Sequence, residues 1–346
     1  MRGYSAFAID QESPGVAALR AAPPPIAWVQ ASLNRVLGTR LAVDGIGGAQ
    51  TREAIRRFQS RQRLPVDGVI TAALVRALIA AGAAPPTPNG GPGAAPRVVK
   101  RESVPSGTTL YVDIPLGAES PARSLTGIYL PSGFRSGARV DVILYLHGFK
   151  LGNPGIAIDA YWDVRRFPYF ALREGVLESG KNLVLVAPTL GPRSQAGRLT
   201  APGGLDAYVD RVRAALAASG AGGGAQGPAL GHLILACHSG GGRPMRMLAR
   251  SSGRYAAHIK ECWGFDCLYN SDDAQQWVEW ARARPDGRLF VHYLGSTTRL
   301  SKWLEARRLP NVVVDRSVAR GHNWVPSTHW KNRIATARFL TERGNP

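Results

Sequence analysis

The chain runs to 346 residues, 45% of them apolar, enough for a domain of about 250 residues with a sizeable core and a second, small one. Its net charge of +19 is spread along the sequence: residues 1–81 hold 10 Lys and Arg against 5 Asp and Glu, and the remainder holds 33 against 19. No block of that excess forms a nucleic-acid tail, so a specific nucleic-acid partner is not expected; the field suits peripheral contact with anionic envelope surfaces such as phospholipid head groups or wall polymers, but much of it is Arg, which a GC-rich coding bias explains equally well.

The three cysteines, Cys237, Cys262 and Cys267, are odd in number and lack metal-ligand spacing, which argues against a disulfide framework and points to no metal or cofactor. No apolar run approaches the roughly 18 residues that cross a bilayer, and Met1 to Gln30 lack the basic start and apolar centre of a Sec signal. Localisation is left open between the cytoplasm, where the chain is made, and an envelope reached by a specialised secretion route or phage lysis.

The first elements are helical. Ile26 to Leu37 carries apolar residues at helical spacing, Thr51 to Phe58 does so again behind a Thr that can cap it, and Ala72 to Ala81 forms a third helix. Val43-Asp44-Gly45-Ile46 precedes the second helix and Val66-Asp67-Gly68-Val69 the third, each a turn in which Gly takes positive φ while Asp ties the backbone. Over residues 26–81 the chain resembles the three-helix peptidoglycan-binding domain of cell-wall hydrolases. The resemblance rests on Gln30, Leu33, Asn34, Leu37, Asp44-Gly45, Gly48, Thr51, Ala54-Ile55, Phe58-Gln59, Leu64 and Asp67-Gly68, with departures at Gly47, Thr71 and Leu74. It implies a small all-α domain whose partner is peptidoglycan or another wall polymer. Residues 82–97, dense in Pro and Gly, hold neither helix nor strand and read as an interdomain linker.

From residue 98 to 346 the pattern changes. Apolar runs read as strands at Thr109–Pro115, Leu125–Leu130, Val140–Leu146, Leu183–Ala187, His232–Cys237, Cys262–Phe265, Leu289–Tyr293 and Val312–Asp315. Helices fit at Tyr169–Leu177, Leu205–Ala218, Pro244–Arg250, Ala274–Ala283, Leu300–Arg308 and Trp330–Glu342. Strand and helix alternate after the third strand, which implies a mostly parallel, eight-stranded sheet with helices on both faces and its chemistry at the C-terminal strand ends.

One of those ends is Leu233-Ile-Leu-Ala-Cys-His-Ser239-Gly-Gly-Gly, an apolar strand that stops abruptly in a Ser flanked by small residues. It reads as a nucleophile elbow, in which a tight turn lifts the Ser239 hydroxyl off the backbone; Cys237 stands where the pattern usually has Gly. A plain alternative is a Gly-rich loop whose Ser caps the following helix. A serine hydroxyl needs a base within reach and a third group to orient that base. His322 follows the last strand and is the expected base, with His329 the alternative. Asp266 follows the strand ending at Phe265 and is the expected acid. Asp272 and Asp273 compete, although they sit where a helix N-terminus takes acidic residues.

The order Ser, Asp, His, the elbow, and His147-Gly148-Phe149 after the third strand together resemble the α/β-hydrolase family over about residues 105–342. That resemblance implies an α/β-hydrolase fold and an oxyanion hole made by the backbone N–H of Gly240 and of Phe149. The two resemblances join in one expectation. The chain is a serine hydrolase, esterase- or lipase-like, acting on an acyl ester or, less favoured, an amide in or near the bacterial envelope. Two other readings stand beside it: a wall-binding protein on an inactive hydrolase scaffold, and a general esterase not targeted to the wall. Trp324 and Tyr161-Trp162 are candidate pocket walls, and the loop Pro188–Gly204 a partial cover.

Overall fold

The computed structural model describes residues 26–41, 47–83, 96–119, 121–150, 152–222 and 227–344. The Val43–Ile46 turn and most of the linker, residues 84–95, lie outside these. Contacts divide the chain into two compact units, Met1–Gly91 and Pro92–Pro346.

In the first unit, α1 (Ile26–Leu37), α2 (Ala49–Arg61) and α3 (Ala72–Ala80) pack Val29, Leu33, Ile55, Phe58, Leu74 and Leu78 into one small core. The polar residues of the repeat hold its turns. Asn34 accepts from the Leu41 N–H (2.7 Å) and donates to the Leu41 carbonyl (2.9 Å). Gln59 accepts from the Gly68 N–H (2.9 Å) and donates to Asp67 (2.7 Å), with Gly68 at φ +73°. Thr51 does not cap α2, whose N-cap is Gly48; it lies buried inside the helix and accepts from Gln30 (3.1 Å). Thr71 is the capping threonine, accepting from the Leu74 N–H of α3.

The second unit is built on one sheet. Its strands are β1 (Val98–Val104), β2 (Gly107–Asp113), β3 (Leu125–Pro131), β4 (Arg139–Leu146), β5 (Leu183–Pro188), β6 (Ala229–His238), β7 (Ile259–Phe265), β8 (Arg288–Tyr293) and β9 (Val312–Arg316). They lie in the order β1-β2-β3-β5-β4-β6-β7-β8-β9. β1 pairs antiparallel with β2, β2 with β3 and β3 with β5, and β4 to β9 pair parallel. Helices α4 (Ile158–Tyr161), α5 (Leu172–Glu178), α6 (Gly204–Ala218), α7 (Gly242–Ala249), α8 (Ser271–Ala283), α9 (Thr298–Glu305) and α10 (Val325–Thr336) follow in chain order.

Strand alternation sorts the core into two layers. Val142, Leu144, Leu233, Leu235 and Cys237 face α6 to α9, whereas Ile143, Tyr145, Ile234 and Ala236 face α4, α5 and α10. Trp330 of α10 closes the second layer, edge-on to Tyr145 and Trp263, with its indole N–H on the Leu172 carbonyl at 2.9 Å.

This is the α/β-hydrolase fold, with nine strands among the described residues rather than eight. The extra one, β1, is an edge strand whose Val-Val-Lys-Arg-Glu-Ser-Val run is almost wholly exposed, so no apolar alternation announces it. Pro326 sits in the first turn of α10, where no N–H is needed, and that helix runs from Val325 to Thr336 rather than over the expected Trp330–Glu342. Because β4 lies between β5 and β6, the chain reverses its direction of travel across the sheet there. The loops leaving Leu146 and His238 therefore flank the crevice where such sheets place their chemistry. Among the described residues no helix is long and apolar enough to cross a membrane.

Candidate active site

Ser239 follows β6 directly at φ +52°, then a 3-10 turn of Ser239–Gly241 runs into α7. A left-handed serine is strained and persists only where the surroundings impose it. A Cβ on Gly240 would collide with the Phe149 ring, and one on Gly148 would lie 2.9 Å from the Ser239 Cβ. The elbow and the loop after β4 thus touch through glycines. Cys237, in place of the usual Gly, turns its buried thiol into the α6–α9 layer and leaves the turn unobstructed.

On the far side of the elbow, His322 Nδ1 lies 2.6 Å from Asp266 Oδ2. A carboxylate only accepts, so Nδ1 carries a proton there, and in the neutral imidazole the lone pair is left on Nε2. Asp266, 2% exposed and itself at φ +50°, accepts on its other oxygen from the Leu294 N–H (2.9 Å) and the Thr297 hydroxyl. Burial raises the pKa of Asp266, but the hydrogen bonds from His322, Thr297 and Leu294 outweigh it and hold the carboxyl below its ordinary range. Thr297 escaped the sequence reading. The Gly295-Ser-Thr-Thr segment after β8 has no carboxylate to offer and supplies a donor to one instead.

Two buried histidines brace these loops. His238 donates from Nε2 to the His322 carbonyl (3.1 Å), its ring 4.4 Å from the His322 ring. His147 accepts on Nε2 from the Leu190 N–H (2.9 Å) and donates from Nδ1 to the Gly148 carbonyl (2.7 Å). Burial lowers both to about 3, so both are neutral scaffolding at ordinary pH.

The Ser239 hydroxyl has its hydrogen bond with Tyr269 Oη, a long one at 3.4 Å. Desolvation pushes the Tyr269 phenol up to about 12. Phe149, Tyr269 and Val318, from three of the loops that carry the site, are exposed apolar side chains. Trp324 stands edge-on to Tyr169 at 5.8 Å with the Arg320 guanidinium 3.6 Å from its ring. Of the other expected wall residues, Trp162 is buried under β3, and Tyr161 is buried with its ring stacked on Phe170 and tilted against His147.

The competing residues are engaged elsewhere. His329 accepts or donates at Ser317 (2.8 Å) and stacks on His292. Asp273 pairs with Arg246 at 2.7 Å, tying α8 to α7, and Asp272 is exposed in the first turn of α8.

Residues 23–78 match the family model described as "Putative peptidoglycan binding domain". That segment is a domain of this family. No curated protein matches the chain in sequence. Among solved structures, the chain is similar to a feruloyl esterase module from Clostridium thermocellum complexed with sinapinate, at 11% identity and a TM-score of 0.43, over 72% of this chain and 94% of that one. It is also similar to a thermophilic esterase from Thermogutta terrifontis (14% identity, TM-score 0.37, 73% and 96% covered) and to an esterase from Pyrobaculum calidifontis (15%, 0.35, 69% and 84%).

Proposed function

We propose that the second unit is a serine ester hydrolase and that the first unit holds it to peptidoglycan. The observation that carries the catalytic half is the 2.6 Å bond from His322 to Asp266 beside a serine held at positive φ at the end of β6. Ser239 Oγ turns from Tyr269 to His322 Nε2, gives up its proton there and adds to the ester carbonyl. The carbonyl oxygen becomes an oxyanion, bound by the N–H groups of Gly240 and Phe149. His322 then passes the proton to the leaving alkoxide, Asp266 stabilising the imidazolium meanwhile. Water, deprotonated by His322, releases the acid from Ser239 by the same steps in reverse.

The His322 side chain is 41% exposed, and an open mouth suits an ester carried on a large envelope molecule better than a small metabolite. The family match over residues 23–78 supports wall attachment. The test pairs hydrolysis of p-nitrophenyl acyl esters of graded length, and of ester-bearing wall fragments, with sedimentation on purified sacculi. Ester hydrolysis with co-sedimentation is the expected result; no turnover of any ester refutes the catalytic half.

A further inference from the structure

Among the described residues five non-glycine residues have positive φ, and three of them lie together at this site: Ser239, Asp266 and Ser194, the last at +58°. The first two have roles in the proposed chemistry. Ser194, in the loop between β5 and α6, does not. Backbone strain of this kind collects where function holds it, so its presence here asks for a reason.

The side chain supplies a second observation. Ser194 is 2% exposed, and among the described residues its hydroxyl has no hydrogen-bond partner. A buried hydroxyl without a partner is uncommon in a folded protein. Its Oγ lies 3.0 Å from the point a Cβ on Gly240 would occupy, the point that the Phe149 ring also borders. The unused donor is therefore set against the two residues whose amides would bind the oxyanion.

Its position is fixed by bonds on both sides. The Leu190 N–H reaches His147 (2.9 Å), the Lys150 N–H reaches the Pro192 carbonyl (2.8 Å), and the Ser194 N–H closes a turn on Gly191 (2.9 Å). The first two of these bonds tie the Ser194 loop to the loop that carries Phe149.

Resting on the serine-hydrolase reading, we propose that the Ser194 hydroxyl is a third donor of the oxyanion hole. When Ser239 Oγ bonds to the ester carbon, the carbonyl π pair moves onto oxygen, and that oxyanion accepts hydrogen bonds from the Gly240 N–H, the Phe149 N–H and the Ser194 O–H. No bond to Ser194 forms or breaks. On collapse the electron pair returns, the alkoxide leaves with the His322 proton, and the Ser194 hydroxyl is again without an acceptor. A donor set in place beforehand and unpaired in the ground state acts on the transition state more than on bound substrate.

Ser194→Gly tests this, because glycine removes the hydroxyl and accepts the positive φ, so the variant folds; Ser194→Ala is the companion. The full-length chain is assayed on p-nitrophenyl butyrate, and for affinity of an alkyl boronic acid, whose tetrahedral adduct on Ser239 imitates the oxyanion. The expected result is a fall of about 100-fold in kcat with KM little changed, a parallel loss of boronate affinity, and a Tm for Ser194→Gly no lower than that of the parent. Unchanged kcat and boronate affinity in Ser194→Gly, with Ser239→Ala inactive, overturns the third donor while leaving the triad. Full activity in Ser239→Ala overturns the serine-hydrolase reading, and the inference with it.

Discussion

His322 and Asp266 are joined at 2.6 Å although 56 residues separate them in the chain. The bond spans two strand ends: Asp266 leaves β7, and His322 comes after β9. Between them the turn after β8 contributes the Leu294 N–H and the Thr297 hydroxyl, which occupy the other carboxylate oxygen. One oxygen of Asp266 is thus fastened by a turn that has no carboxylate of its own, and the other meets the histidine.

Asp266→Asn keeps the shape of the side chain and its bonds on one side but cannot hold His322 in the tautomer that leaves Nε2 unprotonated. The rate falls about 10⁴-fold in the triad assignment, with the fold retained. Steady-state kinetics beside circular dichroism checks both parts, and a loss under tenfold removes Asp266 from the triad.

Asp273→Asn has the opposite signature. It leaves the Arg246 guanidinium buried without its carboxylate, and breaking a buried pair costs about 3–5 kcal/mol. Urea denaturation shows lowered stability, whereas kcat of the folded fraction is unchanged. A collapse of kcat without loss of stability would transfer the acid's role to Asp273.

His322→Ala abolishes turnover and His329→Ala leaves most of it, because His329 is bonded to Ser317 and stacked on His292 at 4.0 Å, away from Asp266. Assays of the two variants at equal folded concentration decide between them. The reverse order of effects names His329 the base.

Stability falls on acidification from a definite cause. His147, His238 and His292 are each lowered from 6.5 to about 3, by burial first and by the charge of neighbouring basic groups as well. The unfolded chain protonates them near 6.5 and the folded one only near 3, so unfolding takes up protons throughout that window. Their contribution is intact above 6.5, shrinks as pH falls, and is spent by about 3, with a slope near pH 5 of about 4 kcal/mol per pH unit if all three act. Denaturation curves at pH 7 and pH 5 measure it. His292→Phe, which keeps the stack between Phe265 and His329, removes about one third of the histidine slope; an unaltered slope contradicts the assignment.

A chain beginning at Arg97 keeps its rate on a soluble ester and loses binding to sacculi, while the intact protein binds them even in high salt. Recognition by shape and hydrogen bonds survives ionic strength, whereas attraction through the +19 charge is screened. Equal binding by both chains, or binding that salt abolishes, leaves an esterase with an accessory helical domain.

The parallel strands were legible because each is a short apolar run, and the helices of the first unit because their spacing is regular. β1 was not, since a charged edge strand buries nothing. The elbow showed in sequence as small residues crowding one serine, and His322 and Asp266 as polar residues at strand ends. Which acid meets the histidine depends on loops closing across three strands, and no local pattern encodes it. Thr297 and Ser194 were invisible for a related reason: a hydroxyl carries no charge or periodicity, and only its placement against Asp266 or Gly240 distinguishes it.

The most direct measurement is labelling with a fluorophosphonate followed by peptide mapping. The account predicts one adduct, on Ser239, absent from Ser239→Ala, whose ester turnover is also lower by about 10⁴-fold or more. An adduct on another residue, or labelling and turnover that survive in Ser239→Ala, contradicts it.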